Sequence, residues 1–281
     1  MRFSVRIVSP SDPDSSAPFA DDRLNVVLSR LGLTDPLRWL ALGWRDFRRC
    51  PLIGAFYGAC FMVMGWALLW VYKTNPAYVM GLSAGFLLVS PFLCLGLYRV
   101  SQRLERGEKP RFVDSLLAFR ARAGTLGLFG LVLLVLELLW SRATLVIFAL
   151  SFDGMPDLQG SLLALLNRDN IAFTLAWLGV GAIFAGLIYS VSAVSIPMIL
   201  DRQTDAITAG LASLRLVLSQ TPVMLFWGAL ITALVVLALL PWFAGLPVVA
   251  PVLGYASWHA YRSAISFEPA AVAAAAPRAT G

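Results

Sequence analysis

Apolar residues run along this chain in long blocks, and the polar positions between them are clustered rather than interspersed. Residues 50–72 carry no charge, Lys73 interrupts, and residues 74–98 again carry none. Residues 123–136 are uncharged up to Glu137, the apolar run then continues to Leu150, and 170–200 and 216–258 hold no formal charge. A helix needs about 20 mostly apolar residues to cross the hydrocarbon of a bilayer. The blocks therefore predict six spanning helices, near 52–72, 77–98, 124–149, 172–199, 222–241 and 244–262. Pro247 and Pro251 predict a kink in the last, which a bundle tolerates where neighbouring helices satisfy the freed carbonyls.

The polar clusters have their own pattern. At 36–49 (PLRWLALGWRDFRR), Trp and Leu alternate with Arg at helical spacing, as they do in a helix lying along the membrane interface. Similar amphipathic segments fall near 112–122 and 205–218. Residues 1–35 are rich in Pro, Ser and Asp and lack the apolar region of a signal peptide, which predicts a disordered arm. The tail 266–281 is low in complexity and is likewise expected to be disordered. The membrane domain is thus expected over 36–265.

The units look repeated. Each amphipathic segment precedes a span that opens on an aromatic-Gly pair: Tyr57-Gly58, Phe129-Gly130 and Trp227-Gly228. A turn residue (Pro51, Gly124, Pro222) precedes each of these glycines by six or seven positions. In the even-numbered spans Val89-Ser90-Pro91 matches Val249-Ala250-Pro251, with Tyr98 and Trp258 seven residues on, and Val194-Ser195-Ile196-Pro197 is a looser third copy. The fold class read from these patterns is an all-α polytopic bundle, with three repeats of interfacial helix plus two spans as one organisation of it and chance recurrence of Gly, Pro and aromatics as the other.

Composition agrees: of 281 residues 59% are hydrophobic and 14% charged, against roughly 25% charged in soluble domains. Charge then orients the bundle. All but three of the 22 Lys and Arg residues lie in the N-terminal arm, the 99–123 and 201–221 loops or the tail; Lys73, Arg142 and Arg168 are the exceptions. The positive side is normally cytoplasmic, so both termini are expected in the cytoplasm, as an even span count also requires. Trp70, Trp140 and Trp242 fall at the opposite ends of their spans, where an aromatic belt sits.

Scarce residues narrow the chemistry. One histidine, His259, and three cysteines, Cys50, Cys60 and Cys94, cannot supply a haem–copper core or most zinc sites. There is no H-E-x-x-H and no P-loop. No cofactor is expected, and no enzymatic constellation is visible. A Ser–His–Asp relay drawing on Ser90, Ser192 or Ser195 would have only His259, for which an interfacial role is more economical. Nucleic-acid binding is not expected, because the basic residues sit against spans and form no recognition module.

Two loop motifs are distinctive. One is Pro91-x6-Tyr98-x2-Ser101-x2-Leu104-Glu105-x-Gly107; the other is Ser195-x-Pro197-Met198-x-Leu200-Asp201-Arg202-x2-Asp205-Ala206. With Trp44-Arg45-Asp46-Phe47 they resemble an uncharacterised family of bacterial six-span membrane proteins, a domain of unknown function, over roughly 36–265. The resemblance implies a location in the bacterial inner membrane and supplies no activity, substrate or catalytic residue. Members of that family have been labelled oxidase subunits, a label the single histidine argues against.

The candidate residues are few. Glu137 is the only acid deep in a span, slightly beyond mid-membrane; an ionisable group there is a functional hypothesis by default, set against a protonated Glu bonded to a neighbouring helix. Arg142, five positions on, can snorkel outward but is off register for a direct pair. Asp201, Arg202 and Asp205 form either a docking cluster at the cytoplasmic mouth or a headgroup anchor and a helix cap. Arg45, Arg48, Arg49, Arg99 and Arg103 can contact anionic lipid or another membrane protein, or serve topology alone. Asp46 and Glu105 sit among arginines and can pair with them. Three function classes stay open: an accessory, scaffold or lipid-organising protein; a small-solute or ion transporter using Glu137; and, with least support, a lipid-acting enzyme. Oligomeric state is open too.

Overall fold

A computed structural model describes residues 25–75, 78–151, 171–202 and 204–268. Most of the expected arm, most of the tail and Arg168 lie outside these residues. In chain order the described elements are β1 (Asn25–Leu28), α1 (Asp35–Arg49), α2 (Pro51–Thr74), α3 (Val79–Glu105), α4 (Phe112–Leu116), a 3-10 turn (Arg120–Arg122), α5 (Ala123–Ser151), α6 (Ile171–Ser192), α7 (Ser195–Arg202), α8 (Ala206–Ser219), α9 (Thr221–Leu239), α10 (Leu246–Ala264) and β2 (Ile265–Glu268). The chain is an all-α membrane bundle with one short strand pair.

Proline sets several helix starts. Pro36, Pro51, Pro222 and Pro247 each occupy the first turn of α1, α2, α9 and α10, where the missing N–H has no intrahelical acceptor to lose. Among the described residues four helices are long and apolar enough to cross a membrane by length and composition: Pro51–Thr74, Ala123–Ser151, Ile171–Arg202 and Thr221–Leu239. The other two expected spans are also present as helices, α3 of 27 residues and α10 of 19, each with charged residues toward its Arg-rich end. All six expected segments are thus helical, but they differ in how far they are buried. Helix α10 is a central strut, buried along most of its length and packed on α1, α2, α3, α7 and α9.

Small residues permit that packing, as they must where lipid removes the hydrophobic drive between helices. A Cβ on Gly43 of α1 would lie 2.5 Å from the Val252 carbonyl of α10, and one on Gly58 of α2 would lie 2.5 Å from Cα of Pro247. Both neighbours are backbone and cannot yield. The core lies toward the Arg-rich end, where Trp39 meets Trp227 edge-to-face at 5.6 Å beside Leu95, Phe129, Met198 and Leu253.

The short helices close a ring. Helix α1 lies on α10, α4 on α3, and α8 on α6 and α7, so each packs on the second long helix of the preceding unit. The aromatics of the three aromatic-Gly pairs are all buried. Tyr57 of α2 donates to Ser115 of α4 at 3.0 Å, α5 with Phe129 packs on α8, and Trp227 of α9 meets Trp39 of α1. Each first long helix thus reaches the short helix of the next unit, and the Pro-bearing α3, α7 and α10 touch one another inside. The recurrence in sequence has a cyclic counterpart in packing.

Three expectations need correction. The arm and tail were expected to be disordered throughout, yet Asn25–Leu28 pairs antiparallel with Ile265–Glu268, Leu28 opposite Ile265. Ser29 N–H extends the ladder to the Ala264 carbonyl at 3.0 Å. Strands of 4 residues are too short to show a period, and the partner lies at the other end of the chain. The 112–122 helix is one turn of α-helix and a 3-10 turn. The fourth span breaks at residues 193–194, because Pro197 cannot donate to the Ala193 carbonyl and its ring crowds it.

A serine of α8 repairs the break. The Ser213 hydroxyl donates to the Ser190 carbonyl at 2.8 Å and accepts from Val194 N–H at 3.4 Å. It is thereby inserted into the backbone bond that an unbroken helix would make between those two residues. Ser213 is fully buried. Ser213→Ala should leave both backbone groups unsatisfied and lower stability by about 1–3 kcal/mol, read as a drop in the thermal midpoint of the detergent-solubilised protein; an unchanged midpoint would show that the break does not need the hydroxyl.

Candidate functional site

The charged residues of the Arg-rich end converge on α10. On α3, Tyr98, Ser101, Gln102 and Glu105 are three or four apart and share a face. Helix α10 answers with Trp258, His259, Tyr261 and Arg262. Between them stand three carboxylates from three helices.

Asp46 of α1 is 1% exposed. Its Oδ2 accepts from Ser101 Oγ at 2.9 Å and faces His259 Nε2 at 2.8 Å, with Arg45 Nε 3.9 Å from Oδ1. Asp201 of α7 accepts from Gln102 Nε2 at 2.9 Å and from the Tyr261 hydroxyl at 2.8 Å, and Arg202 and Arg262 stand 3.3 and 3.6 Å away. Glu105 accepts from Trp258 Nε1 at 3.0 Å and Arg262 Nε at 3.1 Å. Arg99 completes the group by donating to Gln102 Oε1 at 2.6 Å. A buried carboxylate is tolerated only with such partners, and charge-assisted bonds are the stronger kind. Gln102, Glu105, Arg106, Asp201, Arg202, Trp258 and Arg262 line an open cleft of about 420 Å³.

The arrangement tethers helices and does not form a nucleophilic relay. Ser101 donates to Asp46, so its oxygen is not activated by His259. Ser90 and Ser192 donate to carbonyls of their own helices, at Phe86 and Ile188, and Ser195 of α7 donates toward the carbonyls of Val191 on α6 and Ala209 on α8. His259 itself is largely buried against Asp46, not placed at an open interface. Among the described residues no three His, Cys, Asp or Glu side chains gather as metal ligands, and the three cysteines are unpaired.

The other candidates divide. Asp205 caps α8, accepting from Thr208 N–H at 2.9 Å. Partial burial resists ionisation of its carboxyl, but the Thr208 bonds and nearby backbone N–H groups outweigh it and hold the carboxyl below its ordinary value. Arg103 pairs with Asp114 at 3.0 Å and Glu108 at 3.7 Å, fastening α4 to α3, and so is engaged internally. Arg48 and Arg49 are exposed and make no ion pair among the described residues. Glu137 and Arg142 of α5 make no pair with each other. On the Glu137 face, Trp140 Nε1 and Thr144 Oγ1 are buried without a partner, and the Trp140 ring lies 6.4 Å from Trp177 of α6.

Sequence reasoning missed Gln102, Tyr261, Trp258 and Ser101 as partners of the carboxylates. The polar stripe within the Pro91–Gly107 motif carried the signal for α3; nothing local marked α10 as its complement. Residues 78–201 match the model of a family described as a predicted integral membrane protein (DUF2189), whose function is unknown. The match is narrower than the 36–265 resemblance and spans both loop motifs up to Asp201. No curated protein and no solved structure matches the chain.

Two measurements follow from the geometry. Asp46→Ala should cost about 3 kcal/mol, because it strands Ser101 and His259 in a buried site; thermal unfolding in detergent reads it, and a loss no larger than that of an exposed alanine substitution would refute the tether. For Asp205 the folded carboxyl titrates below the unfolded one. Its contribution is therefore present above the unfolded value and is lost as pH falls through the folded value. Asp205→Ala should cost about 1 kcal/mol at neutral pH, and unfolding curves taken down the acid range should show wild type and variant converging.

Proposed function

We propose that this integral membrane protein is an accessory component of the bacterial inner membrane, without catalytic activity, that scaffolds a larger complex or organises lipid, with its Arg-rich end in the cytoplasm. One observation carries the reading. Three carboxylates at that end, Asp46, Asp201 and Glu105, are engaged in fastening α1, α3, α7 and α10 to one another, over an apolar layer that includes Leu95, Met198, Ile199 and Leu253. A solute path would have to cross that layer, which offers it no polar wall. The positive-inside bias supports the orientation.

A second reading has its own observation. Glu137, Trp140 and Thr144 put a carboxyl and two unpartnered polar atoms on one face of α5, and intramembrane ionisable groups often mark ion pathways. Affinity purification of the tagged protein in native nanodiscs, followed by mass spectrometry, tests the first reading and is expected to return a protein partner in fixed stoichiometry. Proteoliposomes carrying a pH gradient test the second. Dissipation of the gradient by wild type but not by Glu137→Gln would replace the accessory reading with transport; no dissipation by either retains it.

A further inference from the structure

A second cleft at the same end is not accounted for by the tethers. It encloses about 480 Å³ where α1 passes into α2, with Arg49 and Cys50 on one wall and Leu104, Lys109 and Pro110 on the other. Arg49 and Lys109 are exposed and make no hydrogen bond or ion pair among the described residues. Glu108, the carboxylate in the lining, is drawn toward Arg103 at 3.7 Å, which leaves the cleft a surplus of positive charge.

Two further features point at an anion. Helix α2 starts at this wall with no side-chain cap, so the positive end of its dipole has no side chain to answer it. Beneath lies Tyr255 of α10, fully buried, its hydroxyl without a hydrogen-bond partner. A Cβ on Gly54 would lie 3.2 Å from that oxygen, and Cys50 and Leu104 of the cleft wall pack against the cluster that holds Tyr255. The hydroxyl thus lies beside the first turn of α2 with no hydrogen-bond partner among the described residues.

The surroundings tell which kind of anion fits. Leu52, next along α2, is 86% exposed. Phe56 follows one turn later and stands edge-to-face on Phe112 at 4.8 Å, both rings exposed. The cationic cleft therefore continues into an apolar strip on the outside of a spanning helix. We propose that it binds the phosphate of an anionic phospholipid, held by Arg49 and Lys109, with an acyl chain along Leu52, Phe56 and Phe112. The proposal rests on the accessory reading only for the membrane setting, and it names the lipid class that the protein would organise.

The test uses the full chain in nanodiscs of phosphatidylcholine with and without phosphatidylglycerol, and native mass spectrometry of the lipid retained on release. Phosphatidylglycerol should be retained in preference. Arg49→Gln and Lys109→Gln should each lower that retention about fivefold, and roughly thirtyfold together, which is the worth of one and two cations at an anionic surface. Tyr255→Phe keeps the ring and should also weaken retention without lowering the thermal midpoint. Arg38→Gln, on α1 but outside the cleft, is the control. A loss as large as that of Arg49→Gln would mean diffuse surface charge and overturn the site. Displacement of the lipid by soluble glycerol phosphate would overturn the lipid assignment in favour of a free phosphoester, whereas failure to displace it supports the acyl strip. Undiminished retention in a folded double variant overturns the proposal whether or not a protein partner co-purifies.

Discussion

Asp46 is the residue on which the arrangement of this bundle turns. Between helices in lipid there is no hydrophobic drive to association, since the acyl chains are as apolar as the side chains they would replace. What orders such helices is close backbone approach and a few polar contacts whose loss would be costly. Asp46 supplies the second through Ser101 of α3 and His259 of α10, and Gly43 on the same helix supplies the first against Val252. Because α1 is the first helix and α10 the last, these contacts join the ends of the chain before any span between them is considered. The strand pair Asn25–Leu28 with Ile265–Glu268 repeats the closure in backbone hydrogen bonds.

Closure makes the cyclic packing possible. If each short helix packs on the second long helix of the preceding unit, the first unit has no predecessor except the last. α1 on α10 is that wrap-around contact, and Trp39 against Trp227 is its aromatic form. The three joints are built differently: a hydroxyl pair at Tyr57 and Ser115, a Trp pair at Trp227 and Trp39, and a serine inserted into a broken helix at Ser213. A shared plan with divergent contacts is what sequence similarity at this level, an aromatic, a glycine and a proline per unit, would leave visible.

The long helices were legible because length and hydropathy are local properties. The Asp205 cap was legible for the same reason. What sequence could not show was which helices sit inside. α10 reads as a span like the others, yet it is buried along most of its length, and its His259, Tyr261 and Arg262 meet carboxylates of α1, α7 and α3. The break at residues 193–194 was obscured because a proline within an apolar run fits a kink as well as a break, and the deciding hydroxyl belongs to Ser213, on another helix. The two strands were illegible because neither has meaning without the other, across the whole length of the chain. Of the candidate site, Asp201 and Glu105 could be picked out as charges near spans, but their partners Tyr261, Trp258 and Gln102 were chemically unremarkable until the fold set them side by side.

Charge allocation links the fold to what the Arg-rich end can do. Acids are the scarcer species there, and Asp46, Glu105, Glu108, Asp114, Asp201 and Asp205 each have a partner within the chain. Fastening α1, α3, α4, α7, α8 and α10 engages these carboxylates, while only part of the arginine is needed to answer them. Arg48, Arg49, Arg106 and Lys109 are left without a counterion among the described residues. An exposed cation in water costs little, so the surplus is no burden on stability. At a bilayer it is different, because each such charge gains from an anionic surface and the gain falls away within a Debye length. Among the described residues the bundle thus engages its carboxylates in internal contacts and leaves part of its positive charge exposed, which is the charge balance that the proposed anionic lipid would meet.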